Sequence, residues 1–281
     1  MRYSLTFSLL YLTFNLFGQV TDKNELKRLR ELKIRLITGS SVTIDNGLIN
    51  TDASQNYMTV LNDKGQVAEV RFINIKDGNT IIYKYNYGKC DEYDRWVWLN
   101  WRKSDGKIDT VQIQQLTFDK GCRTKAVVWF DSIGNQTDTR IFEYDSKGNK
   151  TSEVDLNNKN EKTAFIHYSY PDNFTVDKKA FLGDSSFWYH NREYSDKKGN
   201  QLGYDSFDQK GNKTNEGEKV NFIYKDDKLI EEIHYDSKGQ IRFKTTYLYN
   251  SDNLVERTIT KSGDSVNETE TISIQKYRKR N

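Results

Sequence analysis

From about residue 40 onward, hydrophobic and polar residues alternate along the chain, and short polar turns break the alternation every 12 to 14 residues. Ile81, Tyr83, Tyr85 and Tyr87 fall on one side of their segment, opposite Lys84 and Asn86. Ile241, Phe243, Tyr247 and Tyr249 oppose Gln240, Arg242, Lys244 and Thr246 in the same way. Leu229, Ile233 and Tyr235 repeat the pattern, although Glu231 interrupts their apolar side. A period of two predicts half-buried strands. Subtracting the turns leaves about eight or nine residues per strand, so roughly 16 strands fit between residues 40 and 277. Consecutive strands joined by tight turns make an all-β, up-and-down antiparallel meander. A flat sheet of that many strands is unusual, so the array should twist strongly, spiral or close. A twisted or spiralling sheet is the expected form.

The turns are copies of one another. Asp119-Lys120-Gly121 follows Phe118, Asp131 to Gly134 follows Phe130, and Asp145 to Gly148 follows Tyr144. The theme returns at Asp196 to Gly199, Asp208 to Gly211 and Asp236 to Gly239. Weaker copies occur at Asn62 to Gly65, at Asp77-Gly78, around Asp226-Asp227 and around Asn250 to Asn253. In such a unit the Asp carboxylate accepts a backbone N–H two residues on and opens a type I turn. The Gly takes the left-handed conformation that completes a three-residue hairpin with a G1 bulge. The aromatic before the Asp ends the incoming strand and can pack across to its neighbour.

The Tyr-Asp-Ser-Lys-Gly-Asn-Lys type of unit resembles the YD (RHS-type) repeats of bacterial secreted and surface proteins, over about residues 60 to 260. The resemblance implies an exported β-repeat protein. Neither the core region nor the toxin domain that ends some members of that family is visible, so a short repeat sheet or partial spiral is expected rather than an encapsulating shell.

Ahead of the repeats the pattern changes. Met1-Arg2 precedes fifteen uncharged, largely apolar residues that run to Phe17, and Gly18 follows. A basic start, a short apolar stretch and a small residue read as a secretory signal peptide over residues 1–18. Residues 19–39 form a lead-in. Asp22 and Glu25 make a capping box, and Leu26, Leu29, Leu32 and Leu36 predict a helix over about 22 to 37. Residues 40–281 are the repeat domain. Export makes Cys90 and Cys122 a candidate disulfide in a periplasmic, cell-surface or extracellular setting, with two unpaired thiols as the alternative. After the leader no apolar run is long enough for a membrane-spanning helix.

Composition narrows the function classes. One proline in 281 residues argues against a disordered, linker-rich chain. With 43 basic and 40 acidic residues the net charge is only +3, which removes the case for phosphate-driven nucleic-acid binding. His167, His190 and His234 are scattered, and with two cysteines they build no familiar metal site; no cofactor motif occurs either. The Asp-x-x-Gly turns are not calcium loops, because Lys147 stands where a further oxygen ligand would be needed. Trp96, Trp98 and Trp101 form the most distinctive patch, with the first two on one strand face and the third on the other. Exposed, they would stack on a sugar ring or a partner's side chain; buried, they are core. Trp129 and Trp188 read as packing residues. The expectation is an exported, non-enzymatic module that binds an unidentified protein or glycan or serves the envelope structurally. The alternative is a toxin-associated immunity or carrier component, or an enzyme whose site is built from scattered residues.

Overall fold

Each Asp-x-x-Gly-Asn unit folds on itself before it meets anything else. At Asp145 the Gly148 N–H donates to the Asp145 carbonyl (3.0 Å), and the Asp145 N–H donates to the Asn149 carbonyl (2.9 Å). Gly148 has φ +90°, the left-handed conformation a three-residue hairpin requires. One carboxylate oxygen of Asp145 accepts the N–H groups of Lys147 (2.9 Å) and Asn149 (2.8 Å). The other accepts the Asn149 side-chain amide at 3.0 Å. The same Asp–Asn clip recurs at Asp131–Asn135, Asp196–Asn200 and Asp208–Asn212. At Asp236–Gly239 the turn and both carboxylate–backbone bonds are kept, and Gln240 replaces the Asn. One turn departs from the expectation. In Asp119–Arg123 the left-handed residue is Cys122 (φ 60°) rather than Gly121, because the i to i+3 bond runs from the Cys122 N–H to the Asp119 carbonyl.

The computed structural model describes residues 23–74, 76–197, 199–263 and 269–279; the expected leader over 1–18 and the capping residue Asp22 lie outside the described residues. Helix α1 (Lys23–Glu31) precedes β1 (Ile34–Asp45), β2 (Leu48–Leu61), β3 (Val67–Asn74), β4 (Thr80–Tyr87), β5 (Tyr93–Trp101) and β6 (Ile108–Phe118). There follow β7 (Thr124–Phe130), β8 (Gln136–Tyr144), β9 (Lys150–Asn157), β10 (Lys162–Asp172), β11 (Thr175–Leu182) and β12 (Phe187–Ser195). The chain ends with β13 (Gln201–Phe207), β14 (Lys213–Lys225), β15 (Lys228–Asp236), β16 (Ile241–Tyr249), β17 (Val255–Ser262) and β18 (Thr269–Lys279).

Every strand pairs antiparallel with the one before and the one after, and β1 also pairs with β18 from Ile34↔Lys279 to Asp45↔Thr269. The meander is therefore an 18-strand closed barrel, not the twisted or spiralling sheet of roughly 16 strands that the pattern predicts. Closure removes both free edges and satisfies the β1 and β18 backbone groups that an open sheet would leave unpaired. It also decides the length of α1. The Leu repeat predicts a helix to about residue 37, yet α1 stops at Glu31, Lys33 turns with φ 53°, and Leu36 pairs with Arg278 and Val60 inside β1. Strand pairing on two sides outweighs one more turn of a helix too short to be stable alone.

Odd-numbered strands run away from α1 and even-numbered strands return, so the hairpins fall at two ends. The α1 end holds the compact apolar cluster of the molecule. Leu29, Ile34, Ile37, Leu61 and Leu254 are almost fully buried there, with Leu32, Val67 and Tyr277 packed against them. Arg28 ties the helix down by donating to the Asn253 carbonyl at 2.7 Å.

Between the ends, registers such as Thr59↔Val70↔Tyr83↔Trp98 and Val220↔His234↔Phe243 trace one continuous face. Most buried strand residues lie on it, so it is the inner face. It is not uniformly apolar: Ser41, Glu153, Ser206, His234 and Ser273 are buried there beside Val70, Phe72, Trp96 and Ile166. In β15 the inner residues are Glu232 and His234, while Glu231 and Ile233 oppose Thr246 and Lys244 on the outside. The apolar row read from the sequence is thus the outer one in this strand. A ring of this many strands is too wide to be filled by side chains from opposite walls, so its lining need not be hydrocarbon.

Candidate binding surface

The inner polar residues are consumed by one another. His234 sits between Glu218 (Nδ1 to Oε1, 2.5 Å) and Glu232 (Nε2 to Oε1, 2.6 Å) and stacks on Phe243 with ring centroids 3.9 Å apart. Tyr247 donates to the second Glu232 oxygen at 2.7 Å. Burial alone would lower the His234 pKa, but the two carboxylates outweigh it and raise it to about 9. Burial alone would raise Glu232, yet the bonds from His234 and Tyr247 hold it below the usual carboxylate range. A protonated imidazole with both nitrogens donating has no lone pair to act as a base. Arg140 grips Asp155 through two bonds (2.6 and 2.9 Å), lies 2.9 Å from Glu153, and Tyr168 donates to Glu153 at 2.8 Å. On the outer face Asp177 is held by Arg192 (2.8 and 3.0 Å), with His190 Nε2 at 3.5 Å and stacked on Phe207. His167 packs edge-on against Phe165. These histidines are wall residues.

Both walls carry charge in mid-strand. Glu231–Lys244 (2.6 Å) and Glu69–Lys84 (3.8 Å) lie outside, and Arg140–Glu153 lies inside. A charged side chain facing hydrocarbon costs about 2–4 kcal/mol at the bilayer midplane, so neither face offers the apolar band of a membrane-spanning barrel. No described helix is long and apolar enough to cross a membrane.

Of the tryptophans, Trp96 follows the buried one of its two readings and Trp188 departs from its own. Trp96 is buried against Tyr83 (5.8 Å between centroids), and its indole N–H donates to Gln114. Trp98 shares that inner face beside Tyr83 at 6.0 Å, and Trp101 falls on the opposite side, level with Thr80 and Ile108. The Trp96–Trp98 pair therefore lines the inner wall, Trp96 buried and Trp98 half-buried. Trp188, expected to be a packing residue, is instead 53% exposed beside Tyr189. A bulge at the start of β12, between the Ala180↔Tyr189 and Phe181↔Phe187 pairs, takes Trp188 out of the ladder. The alternation pattern could not show this.

At the far end the β3–β4 and β5–β6 turns are linked, the Lys103 N–H donating to the Asn79 side-chain oxygen at 3.1 Å. At the α1 end neighbouring hairpins are cross-linked. Cys90 and Cys122 form a disulfide between the β4–β5 and β6–β7 turns, with Cα atoms 5.4 Å apart. Lys64 reaches Asp91 at 3.0 Å, Gln66 donates to the Asp91 carbonyl at 2.9 Å, and Asn200 donates to the Tyr224 hydroxyl at 3.0 Å. Two shallow grooves lie among these contacts. One of about 550 Å³ is lined by Arg30, Lys33, Arg35 and Asp63, and one of about 470 Å³ by Lys120, Arg123, Phe142 and Tyr144.

The most exposed apolar residues lie at the far end, while Tyr170, Phe174, Leu202, Ile223, Tyr224 and Leu248, 37% to 44% exposed, lie towards the α1 end. Leu48, Ile49, Ile108, Ile133, Trp188 and Ile241 are the described large hydrophobic residues more than half exposed, from 53% at Trp188 to 81% at Ile133. Five open a strand that leaves the far end, and Ile133 sits in the β7–β8 turn. Its turn is built like its siblings, with Ile133 and Asn135 N–H groups on Asp131 at 3.0 and 2.8 Å. The third position that it occupies is lysine at Lys64, Lys147, Lys159, Lys210 and Lys238. The hairpin itself does not require an apolar residue there.

No protein-family model matches the chain, and no curated protein matches it significantly. Among solved structures it is similar to a porin-like protein from Bacteroides uniformis, at 9% identity and a TM-score of 0.43, covering 88% of this chain and 97% of that one. A structure of TcdB2-TccC3-Cdc42 matches at 11% identity and a TM-score of 0.36, covering 83% of this chain but 14% of the other. A DUF1329 family protein from Desulfovibrio piger matches at 10% identity and a TM-score of 0.27, covering 89% and 88%. Scores of this size carry no argument about function, and the barrel rests on its strand pairing alone.

Proposed function

We propose that the chain is an exported, non-enzymatic YD-type β-repeat barrel that serves the bacterial envelope as a protein-binding module and meets its partner with the end opposite α1. The observation that carries this reading is the segregation of the strongly exposed apolar residues to that end. These residues are spread singly around the ring among polar turns, so a partner that covers the whole end would bury them together. The other end is already occupied by α1, the apolar cluster beneath it and the cross-linked turns. Export is supported by the leader-like residues 1–18 and by the Cys90–Cys122 bridge, which suits an oxidising compartment. The occupied state of His234 supports a role without acid–base chemistry. Photo-crosslinking residues placed at Ile133 and Trp188, compared with Leu248 at the α1 end, test the proposal in intact cells. Crosslinks concentrated at the far end are expected; crosslinks only from Leu248 would overturn it.

A further inference from the structure

The far end lacks features that other kinds of partner would use. The closed ring has no strand edge among its pairings, so a partner cannot add a strand to it. Over its described turns basic and acidic residues are equal in number, with Lys210 and Lys238 answered by Asp208 and Asp236 in their own hairpins. An anionic lipid surface or a nucleic acid would be met by a basic excess. What remains is an annulus of apolar tips set among charges of both signs. A surface of that kind is complementary to a copy of itself: a two-fold axis across the barrel end brings tip against tip and lysine against aspartate. Ile133 is the sharpest pointer, since five sibling turns carry lysine at its position while making the same hairpin.

We infer that two copies of this chain dock end to end, far end to far end, with Ile133 in the contact. The inference rests on reading that end as the binding end and adds the identity of the occupant: a second copy. The dimer is isologous, leaves both α1 ends facing outward, and closes on itself rather than growing into a filament.

Sedimentation equilibrium of the mature chain, with its disulfide intact, tests the inference. The wild-type chain should approach twice the monomer mass at micromolar concentration. Ile133→Lys places a charge in the contact and should weaken self-association by about tenfold or more. Leu248→Lys, at the α1 end, should leave it unchanged. Ile133→Lys restores the residue of the sibling turns, so at a concentration where wild type is monomeric its thermal midpoint should match wild type, and loss of the dimer cannot be blamed on misfolding. A wild-type chain that stays monomeric overturns the inference. If that monomer still crosslinks to other proteins through Ile133 in cells, the binding-end reading survives and only the second copy is wrong. If it crosslinks to none, both fall. Sedimentation of the wild-type chain with phosphatidylcholine vesicles, abolished by Ile133→Lys, would replace the second copy with a membrane surface.

Discussion

The Tyr144 hydroxyl donates a 2.8 Å hydrogen bond to the Thr124 carbonyl, twenty residues earlier, where β7 begins beside the end of β8. The same bond, with the same spacing, joins Tyr87 to Val67, Tyr170 to Lys150 and Tyr249 to Leu229, and Tyr277 makes it to Val255. All five lie at the α1 end, each on an even-numbered strand. The far-end hairpins of β7–β8 and β13–β14 have Phe130 and Phe207 before the Asp, which lack the hydroxyl. The repeat unit therefore has two versions. At the α1 end Tyr87, Tyr144, Tyr170, Tyr249 and Tyr277 act as clamps between strands, whereas Phe130 and Phe207 at the far end are packing groups.

Removing one clamp should cost what one partly buried hydrogen bond is worth. Tyr144→Phe is expected to destabilise by about 1 kcal/mol. Phe130→Tyr, at the far end, should gain nothing, since no equivalent carbonyl is clamped there. Urea unfolding of the two variants, at unchanged m-value, checks the difference. Equal behaviour would refute the two-version account.

The disulfide closes a loop of sequence separation 32. Losing it should cost roughly 3.5 kcal/mol on the chain-entropy estimate. Cys122 also stands at the left-handed position that glycine fills in the sibling turns. The double variant Cys90→Ser/Cys122→Gly should therefore be more stable than Cys90→Ser/Cys122→Ser by about 1 kcal/mol. Thermal unfolding of both under reducing conditions decides this.

Glycines of the repeat should not respond alike to alanine. Gly148, at φ +90°, is expected to lose about 1–2 kcal/mol in Gly148→Ala. Gly121 is not left-handed, and a Cβ there would meet the Asp119 carboxylate at 3.3 Å and Arg123 at 3.8 Å. Gly121→Ala should be close to neutral. A chemical-denaturation midpoint for each variant separates the two positions, Gly148 three residues after its Asp and Gly121 only two.

Alkaline pH should loosen the β14–β16 wall. The folded His234 pKa is raised to about 9 from an ordinary 6.5, so its protonated form is favoured by folding. Its contribution is fully present below about pH 6.5 and is lost as pH rises through about 9. The unfolding midpoint of wild type should fall between neutral pH and pH 10 more steeply than that of His234→Gln. A proton titration of His234 by NMR with a midpoint near 6.5 would contradict this.

How far the chain could be read in advance differs from one element to another. The Asp145–Gly148 hairpin was legible because every partner lies within five residues, and the carboxylate-to-N–H bond two residues on is present. Asn149, which donates two of the three bonds to the Asp145 carboxylate, has no separate turn signature in propensity terms. Gly121 misled because it was read as the turn glycine although it lies two residues after Asp119, where the sibling glycines lie three after theirs and Cys122 stands. Leu36 misled for another reason: helical periodicity was real, but β18 and β2 competed for its backbone. Ile133 stood in plain view as the break in a lysine series; only its 81% exposure turned that into an observation about binding. Trp96 took the buried one of its two readings and Trp188 left the packing role read for it, because face and bulge, not residue type, set exposure.

Local chemistry by itself determined that this protein is all-β, antiparallel and built as a meander, since alternation and Asp/Gly turns act over a dozen residues. Only the tertiary structure decided that the meander closes, with β1 pairing β18 across more than 220 residues of intervening chain. Closure depends on the summed twist and register of eighteen strands, and no single window of sequence contains that sum. From it follow the inner face that accepts His234 between two glutamates, the two unlike ends, and the gathering of Ile133, Trp188 and their neighbours at one of them.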